Sequence, residues 1–251
     1  MQDKLYCLSI REFLDAEMGE AYIQRAFACV DEERRQKAER IKQPAAKAAC
    51  LGAGLLLQLA LQEALGGAGR STVATRTVDL REPAKAGTSI EATAKDYALR
   101  QYSVSELFRC LDRPLPLEFV RGEHGKPYLK DYPFYFNLSH SGEYVVCALS
   151  AHEVGVDIQQ HREDDVLRLA KRFFSEGECK ALDACPEEAR GAFFFRLWTK
   201  KEAYGKLTGE GVAEVLGLDL EEEVSEIAFE EYTDIPGYSI AVCKKKNDSN
   251  R

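Results

Sequence analysis

Two long stretches of the chain place apolar residues at helical spacing and predict its two main helices. The first runs from 45 to 65, follows Pro44, and ends at a glycine pair that begins with Gly66. The second runs from 186 to 207, with glutamates in its first turn and lysines towards its end, an arrangement that suits the helix dipole. Gly209 lies just beyond this second helix and can terminate it.

Apolar runs and alternating patterns predict strands in both halves of the chain. The predicted strands cover 4–10, 115–120, 134–138, 144–149, 154–159, 226–231 and 238–243. A further amphipathic helix is predicted over 164–174, and the residues after it have the form of a capping box that opens another helix. Strands and helices alternate in two successive sets, which indicates an α+β fold, close to α/β, with two similar lobes.

The predicted lobes cover 1–150 and 151–251. Residues 67–101 have scattered apolar positions broken by Gly, Pro, Ser and Thr. We therefore expect 67–105 to be an insertion in the first lobe, built of loops or short strands.

Two glycines interrupt the first long helix. Gly52 and Gly54 each cost up to about 1 kcal/mol relative to alanine in a helix interior. Their presence predicts that this helix closely approaches another element or a ligand.

Candidate chemistry lies on the second long helix and on strand 154–159. Trp198, Glu202 and Lys206 are four residues apart and share one helix face. Glu202 and Lys206 can form an ordinary intrahelical ion pair, or they can supply a carboxylate for a metal ion and an ammonium for phosphate. On the strand, alternation places Asp157 and Gln159 on the face opposite the apolar valines and isoleucine.

Composition excludes several classes of function. The net charge of −8 argues against a general nucleic-acid binder, and no apolar run is long enough to predict a membrane span. The N-terminus has no signal-peptide pattern, and none of the eight cysteines forms a CxxC pair typical of zinc sites. We therefore expect reduced thiols, a cytoplasmic location and no partner in membranes or nucleic acids.

Five segments occur in an order that resembles a known family. They are 125–127 (GKP), 136–142 (FNLSHSG), 155–158 (GVDI), 171–178 (KRFFSEGE) and 197–206 (LWTKKEAYGK). Together they resemble the Sfp-type phosphopantetheinyl transferases, most densely between residues 125 and 211. The resemblance implies two α/β lobes related by a pseudo-twofold axis, with coenzyme A and Mg²⁺ between them, in a chain that can act as a monomer.

The reaction implied by this resemblance is of the holo-[acyl-carrier-protein] synthase type. It moves the phosphopantetheine arm of coenzyme A onto a serine of an apo acyl or peptidyl carrier protein and releases 3′,5′-ADP. Matching motif to motif, the metal ligands are Asp157, Glu202 and, at a third position, Gln159; the catalytic residues are Glu202, as base, and Lys206. The residues implied to contact coenzyme A are Lys126, Pro127, Ser139, His140, Lys201 and Lys206, together with Lys42 or Lys47 in place of an expected arginine.

Gln159 is a departure from the family, which often has a carboxylate there. An amide oxygen can coordinate Mg²⁺ or hold a water but adds no charge, so the sequence predicts weaker Mg²⁺ binding. Two alternatives stay open: a catalytically silent binder of coenzyme A or carrier protein, and a magnesium-dependent phosphohydrolase that acts on a small phosphate ester.

Overall fold

The computed structural model describes residues 3–66 and 97–246, apart from the side chains of residues 221 and 223. The strands are β1 Lys4–Ser9, β2 Ala98–Tyr102, β3 Phe119–Arg121, β4 Pro127–Leu129, β5 Tyr135–Ser141, β6 Tyr144–Ser150, β7 Val154–Gln160, β8 Ile227–Tyr232 and β9 Tyr238–Lys245. The α-helices are α1 Gly19–Cys29, α2 Glu32–Arg40, α3 Pro44–Leu65, α4 Val104–Cys110, α5 Val166–Phe173, α6 Glu176–Ala184, α7 Glu187–Thr208, α8 Val212–Val215 and α9 Leu220–Glu223. These elements confirm the predicted α+β class.

One order of elements occurs twice along the described chain. A strand, β1 or β7, is followed by three α-helices, of which the third, α3 or α7, has 22 residues, and a 3-10 helix, Arg11–Leu14, precedes the first set. Each half then ends in a hairpin, β5–β6 or β8–β9, and the strand orders β1-β6-β5 and β7-β9-β8 are the same. Two lobes that share one topology would produce this repeat. The predicted boundary between the lobes, after residue 150, stays a prediction.

The molecule is layered as helix, sheet, sheet and helix. Tyr6 and Leu8 of β1 belong to the same apolar cluster as the leucines of α3, whereas Leu5 and Cys7 pack with β7 and β9 in a second cluster. A third cluster joins α7 to the opposite face of β9. Because side chains alternate between the faces of a strand, each sheet has one face against a helix and one against the other sheet.

One polar contact between the two sheets lies between β5 and β7, and we call it the seam. Here side chains of β5 bond to the main chain of β7 in place of a backbone ladder. Asn137 Oδ1 accepts from the amide of Val156 at 3.1 Å, and Ser141 Oγ accepts from the amide of Gln160 at 3.0 Å. Every second residue of β5 therefore faces β7, which fixes the relative position of the two sheets.

The glycines of α3 are close-contact positions, as predicted, and the neighbours are protein elements. A Cβ on Gly54 would lie 2.4 Å from Cδ of Arg34 and 2.7 Å from Cγ1 of Val30. A Cβ on Gly52 would lie 3.0 Å from Cδ2 of Leu8 in β1. Glycine at these positions lets α3 pack closely against both α2 and the first sheet.

Helix α3 is long and apolar enough to span a bilayer by length and composition alone. However, 78% of its most apolar 18-residue window is buried inside the protein. This burial is typical of a core helix.

All eight cysteines are free thiols, as expected.

The segment 115–120 was the least accurately predicted strand. Within this segment only residues from Phe119 onward form a strand, Phe119–Arg121, which pairs in a hairpin with Pro127–Leu129. The side-chain amide of Gln58 bonds both the N–H and the carbonyl of Leu115, at 2.9 and 3.0 Å. A side chain therefore satisfies the backbone groups that a neighbouring strand would otherwise bind.

Part of the predicted insertion belongs to the first sheet. Residues 98–102 form β2, which pairs parallel with β1, and Ser103 caps α4 with a capping box. The remainder of the predicted insertion, 67–96, lies outside the described residues.

Candidate active site

A glycine brings the main chain of α7 into contact with β7. A Cβ on Gly155 would lie 2.0 Å from the carbonyl oxygen of Ala203 and 2.8 Å from the amide nitrogen of Leu207. No other residue type fits there without moving the backbone. The close contact places the C-terminal half of α7, which carries Glu202 and Lys206, beside the strand that carries Asp157.

Asp157 is a buried carboxylate with one occupied and one free oxygen. Its side chain is 2% exposed, and Oδ1 accepts hydrogen bonds from Ser139 Oγ at 2.6 Å and from Lys206 Nζ at 2.7 Å. Oδ2 is buried and has no hydrogen-bond partner among the described residues. Because an unsolvated carboxylate oxygen is costly, Oδ2 is the strongest candidate in the site for a cation ligand.

Glu202 lies close enough to Asp157 for the two charges to interact. Burial, followed by the negative charge of Asp157, raises the pKa of the Glu202 carboxyl. Trp198 Nε1 donates to Glu202 Oε1 at 3.1 Å. In the described residues Lys206 bonds to Asp157 and Ser139, so the intrahelical Glu202–Lys206 pair is not the arrangement that forms.

The indole of Trp198 is held by aromatic packing. Its ring lies 5.7 Å from that of Phe194, 5.6 Å from that of Phe173 and 6.4 Å from that of Phe174. Two rings at the end of α5 and one on α7 thus fix the N–H that orients Glu202.

A cavity of about 240 Å³ opens beside Glu202. Its apolar wall is formed by Leu169, Phe194, Phe195 and Trp198, and its polar lining includes Gln159 and Glu202. Gln159 follows Asp157 by two residues on β7, so strand alternation puts both side chains on one side of the strand. The structure thus brings the three predicted metal ligands into one region.

The donors suit a hard divalent cation. They comprise the free Asp157 oxygen, the Glu202 carboxylate and the Gln159 amide, all oxygen ligands of the kind that Mg²⁺ prefers. Within residues 3–66 and 97–246, no group of three or more His, Cys, Asp or Glu side chains could hold a metal ion. Two carboxylates and an amide are a suitable ligand set for an ion whose remaining coordination positions are filled by water and phosphate.

Lys201 occupies a different place from the one expected of a diphosphate contact. Its side chain is completely buried, with Nζ 2.9 Å from Glu178 Oε2, and it also donates to the carbonyl of Leu218. An ammonium in this position ties α7 to α6 and to the segment after α8. This placement does not support the expected contact with coenzyme A.

Lys126 is likewise part of the internal structure. Its Nζ donates to Glu153 Oε2 at 2.6 Å and to the carbonyl of Leu207 at 2.9 Å, and its side chain is 8% exposed. Pro127 opens β4, opposite Arg121. The expected nucleotide contact of Lys126 is unsupported because its ammonium already links the start of β7 to the end of α7.

His140 marks a cationic region next to the carboxylates. Partial burial, followed by the charges of Lys206 and Lys37, lowers the pKa of its imidazole. Lys37, an exposed residue of α2, lies within electrostatic reach of His140, and the sequence pattern did not single it out as a candidate. Lys42 is exposed and Lys47 half-buried at the start of α3, and their role in binding coenzyme A stays a prediction.

Comparison with known proteins assigns this region to a family. Residues 153–243, from just before β7 into β9, match the model of the 4′-phosphopantetheinyl transferase superfamily. The 4′-phosphopantetheinyl transferase AcpT of Escherichia coli (strain K12) is 37% identical over 143 residues, which make up 56% of this chain and 69% of that protein.

Two relatives from Bacillus are similar over a comparable length. The 4′-phosphopantetheinyl transferase psf-1 of Bacillus pumilus is 38% identical over 149 residues, covering 53% of this chain and 64% of the relative. The 4′-phosphopantetheinyl transferase Sfp of Bacillus subtilis (strain 168) is 33% identical over 146 residues, covering 53% of this chain and 65% of the relative. The chain thus spans just under two thirds of the length of these two proteins.

Proposed function

Because this chain belongs to the 4′-phosphopantetheinyl transferase superfamily, we propose that it transfers the phosphopantetheine arm of coenzyme A to a serine of an acyl or peptidyl carrier protein. The serine oxygen attacks the phosphorus atom nearest the pantetheine. The phosphorus–oxygen bond to the second phosphate breaks, and 3′,5′-ADP leaves. The serine proton passes to a base, so the products are the modified carrier and the nucleotide.

The observation that most supports this proposal is the grouping of Asp157, Glu202 and Lys206. Two carboxylates from different elements lie within electrostatic reach, and an ammonium bonds to one of them. Transfer from a diphosphate requires a base for the incoming hydroxyl and positive charge for the phosphate oxygens. This grouping offers both.

Glu202 is the proposed base toward the serine hydroxyl. A carboxylate within hydrogen-bond reach of the hydroxyl can accept its proton as the serine oxygen attacks. The bond from Trp198 Nε1 occupies Oε1. Oε2 is therefore the oxygen that we assign to the proton transfer.

The cationic region is the proposed site of the coenzyme A phosphates. Lys206 and Lys37 are close enough to His140 to lower the pKa of its imidazole, and a phosphate bound beside these groups would be stabilised by the two ammonium charges. We assign Lys206 to the diphosphate, and His140 and Lys37 to the phosphate on the ribose. Lys42 and Lys47 extend this basic surface along the start of α3.

Asp157, Glu202 and Gln159 would hold Mg²⁺. The ion would supply positive charge to the diphosphate oxygens. In this proposal the ammonium of Lys206 also supplies positive charge to the diphosphate oxygens.

We further propose that the protein acts in the cytoplasm as a monomer.

Gln159→Glu tests the proposed metal position. We expect the variant to reach half-maximal activity at a Mg²⁺ concentration about 3- to 10-fold lower than the wild-type protein, because a carboxylate adds charge where the amide offers only a dipole. The measurement is initial rate against Mg²⁺ concentration at saturating coenzyme A. Gln160→Glu, one residue further and on the opposite side of the strand, is the matched control. An unchanged Mg²⁺ dependence in Gln159→Glu would remove Gln159 from the metal site.

The proposed function is tested by intact-protein mass spectrometry of an apo carrier protein incubated with this protein, coenzyme A and Mg²⁺. We expect a mass gain of one phosphopantetheine on the carrier. A series of fatty-acid, polyketide and peptide carriers would establish the acceptor class.

The alternative favoured by Gln159 is a silent binder of coenzyme A or carrier protein. It predicts that coenzyme A binds with a measurable heat in calorimetry while none of the carriers gains mass. Release of phosphate from small esters without any carrier would instead indicate a phosphohydrolase.

A further inference from the structure

Ser139 lies in the middle of the seam between β5 and β7. Only 8% of its surface is exposed, and the seam residues on either side of it, Asn137 and Ser141, hold the main chain of β7. Little of this serine is available to a large ligand. Its hydroxyl is instead directed toward the carboxylate of Asp157.

The Ser139 hydroxyl forms hydrogen bonds in both directions. It donates to Asp157 Oδ1 at 2.6 Å and accepts from Lys206 Nζ at 2.7 Å. Lys206 Nζ also donates directly to Asp157 Oδ1 at 2.7 Å. The three side chains, from β5, β7 and α7, close a ring of hydrogen bonds, in which the ionised partners make each contact stronger than a neutral one.

We propose that Ser139 is a positioning residue that orients Asp157 and Lys206 for phosphopantetheine transfer. This inference rests on the proposed function, and it replaces the direct nucleotide contact that the sequence resemblance implies for Ser139. By bonding to Oδ1, the serine fixes the rotation of the Asp157 carboxylate and leaves Oδ2 available. By accepting from Lys206, it holds the ammonium at one place beside that carboxylate.

The test compares Ser139→Ala with the wild-type protein on two donors, coenzyme A and 3′-dephospho-coenzyme A. A positioning role affects the reacting groups whichever donor is bound. We therefore expect kcat to fall by about 10- to 100-fold with both donors, while KM for each stays within about threefold. The preference for coenzyme A over the dephosphorylated donor should be unchanged.

His140→Ala is the comparison for a true phosphate contact. His140 follows Ser139 and lies in the cationic region, so its loss should weaken the preference for coenzyme A over the dephosphorylated donor. If Ser139→Ala shows that same pattern, with the loss confined to coenzyme A, then Ser139 contacts the 3′-phosphate and the proposal is wrong. A kcat within threefold of the wild-type value on both donors also overturns it.

Ser150→Ala is the control for losing a buried hydroxyl. Ser150 is fully buried and donates to Asp3 Oδ1 at 2.7 Å, so it has the same serine–aspartate contact away from the site. We expect its Tm to fall about as much as that of Ser139→Ala while kcat is retained. Equal losses of kcat in the two variants would mean general destabilisation and would refute a positioning role.

The wild-type protein separates failure of this inference from failure of the proposed function. If the wild-type protein modifies no carrier, the proposed function fails, and the positioning role proposed for Ser139 fails as well. If the wild-type protein modifies a carrier and Ser139→Ala matches it, only the positioning role fails.

Discussion

Glu202→Gln is expected to reduce carrier modification by about 10²- to 10⁴-fold, the usual contribution of a general base. The amide keeps the shape of the side chain, and its oxygen can still accept the Trp198 N–H bond. It cannot accept the serine proton at neutral pH. The rate of phosphopantetheine transfer, followed by mass spectrometry at saturating coenzyme A, is the measurement.

The same substitution should leave the fold intact or slightly more stable. The pKa of Glu202 is raised in the folded protein, so its ionised form is disfavoured there and opposes folding at neutral pH. A neutral glutamine removes this effect, and we expect Tm to be equal or higher. Glu210→Gln, an exposed position just beyond α7, is the matched control and should keep the wild-type rate. A Glu202→Gln rate within tenfold of wild type would exclude Glu202 as the base.

Lys201→Met is expected to lower the free energy of unfolding by about 3–5 kcal/mol, the usual cost of removing one partner of a buried ion pair. The substitution leaves the carboxylate of Glu178, which is 8% exposed, without its ammonium partner. It also removes the donor to the Leu218 carbonyl. Urea denaturation monitored by circular dichroism gives the change in free energy.

The neighbouring lysine and a double variant control this prediction. Lys200 pairs with Glu231 at 3.5 Å on a more accessible part of α7, so Lys200→Met should cost less than about 1 kcal/mol. Adding Glu178→Gln to Lys201→Met removes the unpaired charge and should restore more than half of the lost stability. A stable Lys201→Met that binds coenzyme A weakly would instead support the diphosphate contact expected from the sequence.

The parts of the site that the sequence predicted depend on local geometry. Helical spacing placed Glu202 and Lys206 on one face of α7, and strand alternation separated Asp157 from the apolar residues of β7. Both patterns require only the backbone period of one element.

The parts that the sequence did not predict depend on contacts between distant segments. Lys201 and Lys206 are both lysines of α7, yet one is enclosed by Glu178 and Leu218 and the other faces Asp157. Nothing local to the helix distinguishes them. Lys126 is similar, since its partners come from the start of β7 and the end of α7. The pairing of each cation is thus a property of tertiary packing.

The fold shows the same division between local and distant information. The long helices and most strands followed from periodicity, whereas the failure of strand 115–120 came from the Gln58 side chain, which binds Leu115 across 57 positions of sequence. The parallel pairing of β2 with β1 could not be predicted from the pattern of either strand.

The contact at Gly155 makes the spacing of the two carboxylates of the candidate site insensitive to most changes in the core. Main-chain atoms of α7 rest directly on β7, with no side chain acting as a spacer between them. Where helices and strands are separated by side chains, every exchange of a leucine for a valine moves one element relative to the other. Here the apolar residues of the three clusters can be substituted while the distance from Asp157 to Glu202 is maintained, because that distance depends on the main-chain contact at one glycine.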